Sequence, residues 1–242
     1  MIACIPSKGR PNTSTHKLFE SVGIDTIHFV EPQDLDLYKN KKSISIEKND
    51  MGVGYARQYI IDYCKKKEIV WSIMCDDDIN SFGYVKDGKC IKKDASIFFD
   101  MIKIASKLPF EMYGMSFRQY AWSENKKYSI NSKVFTAVSL INIPKIKWKY
   151  ENTFKEDIQF LMDGIKFGNG QLKFNHFFFN CPPIGTNKGG CFDGYVNKED
   201  EKSIIAIVNK YKGYTKVVNK KDRRDVKWDV SKWALKHKRK TL

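Results

Sequence analysis

Ile69-Val70-Trp71-Ser72-Ile73-Met74-Cys75-Asp76-Asp77-Asp78 is a short apolar run that stops at three consecutive aspartates. The run has the length of a buried strand and is too short for most helices. Three carboxylates at one strand end repel each other: at ~4 Å and an effective dielectric of about 20, one pair costs about 4 kcal/mol. A divalent cation, a basic partner, protonation or open water has to offset that repulsion. Hard cations such as Mn2+ and Mg2+ select carboxylate oxygens and commonly bridge to phosphates. The triplet therefore reads as a metal–diphosphate site built on Asp76 and Asp78. The plainer alternative is a solvated acidic turn that ends a strand.

Short apolar strands alternate with helices on the N-terminal side of the triplet. Residues 2–5, 26–30 and 43–46 read as strands. One helix is capped at Thr13 or Ser14, and another spans about residues 53–66 and leads straight into the aspartate strand. This alternation predicts an α/β fold with a mostly parallel central sheet flanked by helices. Ligands in such sheets bind beyond the carboxyl ends of the strands. The loop Pro6-Ser7-Lys8-Gly9-Arg10-Pro11 and the triplet then share one rim. Arg57 falls at helical spacing in an apolar stripe with Val53, Ile60, Ile61 and Cys64. A buried guanidinium needs an anion, so Arg57 faces either the triplet or a bound phosphate, unless it snorkels at the helix surface.

Past the triplet, Asp87-Gly88, flanked by residues 81–85 and 89–92, signals a hairpin. A helix over residues 95–108 and strands over 112–117 and 134–141 follow. The polar and aromatic stretch 118–133, with Tyr120, Trp122 and Tyr128, suits a ring-shaped acceptor; ordinary loop packing is the alternative. The next helix starts near Asn152 and runs to Phe167, with Ile158, Leu161, Met162 and Ile165 on its core face. Glu156 and Asp157 in its first turn suit the helix dipole, a structural role. His176 sits in a strand over residues 172–180, where a lone histidine is ordinarily a hydrogen-bonded core residue. In the Gly- and Pro-rich stretch 181–191, backbone N–H groups around Gly189 and Gly190, with Lys188, would approach an anion closely.

The 242 residues allow one large α/β domain or two small ones. A net charge of +15 favours a polyanionic partner, nucleic acid before an anionic membrane. Lysine-rich coding in an AT-rich genome is a competing source of that charge. Residues 209–242 hold 13 Lys and Arg against 3 Asp and Glu, and so carry +10 of the +15. Trp228 and Trp233 lie among those charges. The chain thus divides into residues 1–208 and a basic extension, 209–242, whose Arg223, Arg224, Lys227, Lys236, Lys238 and Arg239 are candidate phosphate contacts. Ser231 is placed to cap a short helix there.

Six cysteines occur, at 4, 64, 75, 90, 181 and 191, without a CxxC pair. That disfavours a zinc ribbon and suggests free thiols in a reducing cytoplasm. No signal peptide is legible, and no apolar run approaches the ~20 residues that span a bilayer. Neither a G-x-x-x-x-G-K-[ST] loop nor a G-x-G-x-x-G after the first strand is present, which argues against P-loop and dinucleotide enzymes.

In their order along residues 1–195, these features resemble a GT-A glycosyltransferase. Ile5-Pro6-Ser7-Lys8-Gly9-Arg10-Pro11 is similar to the first loop of that superfamily, and Gly54-Tyr55-Ala56-Arg57-Gln58 to its Ala-Arg helix. Asp76-Asp77-Asp78 resembles the D-x-D motif and Lys155-Glu156-Asp157 the x-E-D motif. More narrowly, the I-P-S start, the consecutive aspartates, the E-D helix and Asn187-Lys188-Gly189-Gly190 resemble the TET-associated glycosyltransferases of bacteriophages.

The resemblance implies a nucleotide-sugar donor, most simply a UDP-sugar. Pro6, Ser7, Lys8 and Arg10 would hold its nucleoside, with Asp77 on the ribose. Asp76, Asp78 and His176 would ligate Mn2+ or Mg2+. Arg57, Lys188, Gly189 and Gly190 would serve the diphosphate. Asp157 would act as base toward an acceptor held by Tyr120, Trp122 and Glu156 if the reaction inverts the anomeric carbon, and would position that acceptor if it retains configuration. The acceptor implied is a hydroxymethylated base in phage DNA, met in the host cytoplasm. A transferase acting on glycan, protein or lipid, a nucleotidyltransferase on a similar sheet, and a non-enzymatic basic DNA-binding module are the rival readings.

Overall fold

The computed structural model describes residues 1–182, 199–220 and 223–239. Strands β1 (Ile2–Ser7), β2 (Thr26–Val30), β3 (Ser43–Ser45) and β4 (Trp71–Cys75) pair in parallel in the order β3-β2-β1-β4. Helices α1 (Thr15–Glu20) and α2 (Gly52–Lys66) lie between them in sequence. Next come β5 (Ser81–Lys86) and β6 (Lys89–Lys93), joined through Asp87 and Gly88 at φ 51° and 70°. Positive φ at both central residues gives the turn the twist of its flanking strands.

Helix α3 (Ile97–Ala105), β7 (Met112–Phe117), α4 (Arg118–Ala121), β8 (Tyr128–Ile130), β9 (Phe135–Asn142), α5 (Glu156–Phe167) and β10 (Gln171–Asn180) follow. The result is a ten-stranded sheet, β3-β2-β1-β4-β9-β7-β10-β5-β6, with β8 also beside β10. β5, β8 and β9 run against the other strands, so the sheet is mostly parallel, as the alternation predicted. The carboxyl ends of β1, β4, β7 and β10 therefore open on one rim, together with the start of β9.

One core packs α1 and α3 on the sheet through Phe19, Phe98, Met101 and Phe179. A second packs α2 and α5 through Ile60, Ile61, Phe160 and Leu161. A third joins Ile158, Met162 and Ile165 of α5 to the C-terminal part of the chain: α6 (Asp200–Lys210), β11 (Thr215–Lys220), β12 (Arg223–Trp228) and α7 (Val230–Lys236). Helix α5 is consequently apolar on two sides and buried along most of its length.

The basic segment read as an extension forms an antiparallel ribbon, β11–β12, and a helix, both sharing a core with α5. Its last helix is capped by Asp229, whose Oδ1 accepts from the Lys232 N–H at 3.0 Å, two residues earlier than the Ser231 cap expected. Cys4, Cys64, Cys75, Cys90 and Cys181 are free thiols. Among the described residues no helix is long and apolar enough to cross a membrane.

Candidate active site

Strand β4 delivers the aspartates to the rim, and the Asp76 N–H continues its ladder to Ala137 O at 2.8 Å. Behind Asp76 lies Arg57, 4% exposed. Its Nη2 donates to Asp76 Oδ1 at 3.0 Å, and its Nη1 to Glu156 Oε1 at 2.9 Å and Thr136 Oγ1 at 3.1 Å. Burial opposes the guanidinium charge, but Glu156 and Asp76 hold it protonated. A single buried cation does not fully offset two carboxylates. Burial pushes Glu156 up to about 7 against the pull of Arg57, with Asp157 and Asp76 adding to the rise. Burial also lifts Asp76 to about 6, opposed by Arg57 and reinforced by Asp78 and Asp77. Even so, the Asp76 side chain keeps 37% of its surface exposed at the rim.

A glycine makes this contact possible. The Gly54 N–H donates to Thr153 O at 3.4 Å, and a Cβ on Gly54 would lie 1.9 Å from Asn152 O and 3.2 Å from Glu156 Cβ. Only a bare backbone lets α2 approach the start of α5 closely enough for Arg57 to reach Glu156. Lys155, at φ 54°, turns the chain into that helix.

Asp77 faces the other way and is 4% exposed. Its Oδ2 accepts from Ser7 Oγ, its Oδ1 from Arg10 Nη1 at 3.0 Å, and its carbonyl from Thr15 Oγ1 at 2.6 Å. Arg10 Nη1 also lies 3.5 Å from Asp78 Oδ2. Tyr38 OH bonds Ser7 Oγ at 2.6 Å and accepts the Arg10 N–H at 3.0 Å, while Asp34 takes the Gly9 N–H at 2.7 Å. Lys8 pairs with Glu31 and Asp50, and Pro6 ends up inside β1 opposite Phe29. The first loop is thus fastened to the triplet. Both oxygens of Asp77, expected on a ribose, take part in that attachment.

Other expectations are redistributed. Glu156, read as an acceptor contact, is 6% exposed and held by Arg57. Arg57, expected toward the diphosphate, meets the rim through Asp76. Asp157, half-buried in the first turn of α5, is the neighbouring carboxylate. His176 is not brought to Asp76 and Asp78. Among the described residues it forms no metal-holding group with them. Its Nε2 bonds Glu124 O at 3.0 Å, and it lines a cavity of about 210 Å³ with Tyr84, Lys127, Tyr128 and Phe177. Tyr120 and Trp122 stand exposed on and just after α4, at the end of β7. Lys188, Gly189 and Gly190 lie outside the described residues.

Cys181 was not expected at the site. Burial, with Asp78 and Asp76 nearby, pushes its thiol up to about 12, which places the end of β10 beside the triplet. Tyr38 and Thr136 were also missed. Both lie far from the triplet in sequence and carry no motif signal.

Among the described residues no group of three or more His, Cys, Asp or Glu is arranged to hold a metal ion. Asp76 and Asp78 still fit one: they are crowded, hard-oxygen donors at an open rim, and Mg2+-like ions commonly take one or two carboxylates plus substrate phosphates.

A family model described as TET-associated glycosyltransferase matches residues 1–190. No curated protein matches the chain. Among solved structures, glucosyl-3-phosphoglycerate synthase from Mycobacterium tuberculosis, in complex with Mn2+, UDP and glucosyl-3-phosphoglycerate, is similar with a TM-score of 0.54 at 9% identity. The match covers 93% of this chain and 86% of that one. The same enzyme with Mn2+, UDP-glucose and phosphoglyceric acid gives 0.54 at 8% identity, over 93% and 85%. At such identities the likeness shows a shared fold.

Proposed function

Since the chain belongs to the TET-associated glycosyltransferase family, we propose that this glycosyltransferase moves a sugar from a UDP-sugar to the hydroxyl of a hydroxymethylated base in phage DNA. The observation that carries the donor half is the position of Asp76 and Asp78 at the rim, fixed from behind by Arg57 and from the side by the first loop through Asp77. Asp76 and Asp78 would hold Mn2+ or Mg2+, which neutralises charge on the departing diphosphate. Ser7, Lys8 and Arg10 border the place for the nucleoside, and Lys188, outside the described residues, would add charge for the diphosphate. Asp157 takes the acceptor proton if the anomeric carbon is inverted, and positions the hydroxyl if it is retained. Tyr120 and Trp122 offer exposed rings on which a base turned out of its stack would rest. The +10 carried by residues 209–242 suits a phosphate backbone.

A thermal-shift panel of UDP, GDP, CDP and ADP with and without Mn2+ tests the donor site. Ligand at 100 times its Kd adds about 2.7 kcal/mol. UDP with Mn2+ is expected to raise the Tm, and Asp78→Ala to abolish the rise. Radiolabelled sugar transfer to hydroxymethylated DNA tests the acceptor. Silence toward every nucleotide would favour a DNA-binding module without chemistry. A UDP response without DNA transfer would favour a glycan, protein or lipid acceptor.

A further inference from the structure

In the β11–β12 ribbon, directly opposed residues share a face and alternate along each strand. Lys216 with Lys227, Val218 with Asp225, and Lys220 with Arg223 make one face; Thr215 with Trp228, Val217 with Val226, and Asn219 with Arg224 make the other. The side chains agree. Lys220 Nζ bonds Asp225 Oδ2 at 2.7 Å across the first face, and Arg224 Nη1 lies 3.9 Å from Glu201 of α6 on the second. The second face packs inward through Val226 and Trp228. On the first, Lys216, Lys220, Arg223 and Lys227 are all exposed. Like charges directly opposite each other are destabilising in a ribbon, so this arrangement costs the isolated chain and suits a polyanion.

The same face is tied to the candidate active site. Asp225, 8% exposed, also pairs with Lys155 Nζ at 3.2 Å, and Lys155 immediately precedes Glu156 and Asp157. The burial of Asp225 would raise its pKa, but Lys220 and Lys155 keep it ionised, at about 2.

We propose that the Lys216–Lys220–Arg223–Lys227 face of the ribbon docks duplex DNA, with Asp225 and Lys155 setting its place beside Asp157. A two-stranded ribbon fits the major groove of B-DNA, and the four cations would meet phosphates along its walls. None of the six residues on this face is aromatic, which separates it from the stacking platforms that hold single strands. The remaining candidate cations have other surroundings: Arg239 Nε donates to Ile165 O at 3.2 Å, and Lys236 lies over the Tyr214 and Trp233 rings. The inference deepens the DNA-acceptor reading and rests on it for the identity of the polyanion.

Fluorescence anisotropy of a labelled duplex across a salt series tests it with the full chain. Each phosphate contact contributes about 0.9 to the slope of log K against log salt. The variant K216Q/K220Q/R223Q/K227Q is expected to lose about 3.6 from that slope and at least tenfold in affinity, with its Tm and its UDP–Mn2+ shift retained. The comparison variant K65Q/K66Q/K67Q, altered at the exposed end of α2, is expected to keep the wild-type slope. An unchanged slope in the ribbon variant, or an equal loss in both, overturns the proposal. Equal affinity and slope on single-stranded DNA overturns the duplex assignment. Ribbon-dependent binding without sugar transfer to hydroxymethylated duplex would sink the acceptor reading and leave the docking face standing.

Discussion

Two clusters of charge in this protein use the same side-chain chemistry to opposite ends. At the start of α5 one guanidinium, Arg57, lies beneath the surface between Asp76 and Glu156. On the β11–β12 ribbon one carboxylate, Asp225, pairs with the exposed Lys220 and the largely buried Lys155, while Lys216, Arg223 and Lys227 stand exposed. Removing one partner of a buried pair strands the other in a poor solvent, at about 3–5 kcal/mol. Removing one partner of an exposed pair costs about 0–1 kcal/mol. The buried cluster is therefore architecture that aims Asp76, whereas the ribbon cations keep most of their electrostatic capacity for something outside the chain.

The sharpest way to break the buried cluster is through its backbone. Gly54→Ala would drive a methyl into the Asn152 carbonyl, and a loss of at least about 4 kcal/mol is expected in urea unfolding. Arg57→Met is next, at about 3–5 kcal/mol. Adding Glu156→Gln to it is expected to recover at least about 1 kcal/mol, because the stranded carboxylate is neutralised. Additive losses would show that the two residues do not act as a pair.

A pH series sharpens the same contrast. Glu156 is held at about 7 in the folded protein against 4.5 ordinarily, so the folded state binds more protons between those values. The contribution of Glu156 to the stability of the metal-free protein is expected to fall as pH rises through that window, by on the order of 2 kcal/mol, and to level off above it, against an opposite contribution from His28, which burial lowers to about 4. Glu156→Gln is expected to flatten most of the fall. A fall that survives belongs to Asp76 and Asp77, which burial raises in the same sense. At the small end, Arg224→Ala removes an exposed 3.9 Å pair, and its effect on urea midpoints is expected to stay within about 0.5 kcal/mol.

The parallel half of the fold was legible because its signals are local. Apolar runs of strand length bounded by turn residues gave β1, β2, β4 and β7, and Asp87-Gly88 gave the hairpin. Arg57 stood out as a charge inside an apolar stripe, and its need for an anion was met twice over. The ribbon was not legible because Lys221-Asp222 between its strands carries no Asn-Gly or Asp-Gly signature, and lysines fill positions where alternation would have shown. Val217, Val218 and Val226 were the faint signal. Which carboxylate serves which partner could not be read either. Asp76, Asp77 and Asp78 are identical in sequence, and only the packing of Tyr38, Ser7 and Arg57 around them separates a ligand candidate from a loop anchor. His176 was misplaced because an ordering motif gives no distance along a strand.

The β5–β6 hairpin gives the net charge a second meaning. β6 forms the outer margin of the ten-stranded sheet and reads Lys89-Cys90-Ile91-Lys92-Lys93, while the opposite margin, β3, is only three residues long. Open sheet margins invite pairing with another chain, and lysines or brevity deter it. Part of the +15 is therefore a guard against strand-to-strand aggregation. Neutralising Lys89, Lys92 and Lys93 would be expected to leave every ligand site intact and yet shorten the time the protein stays in solution.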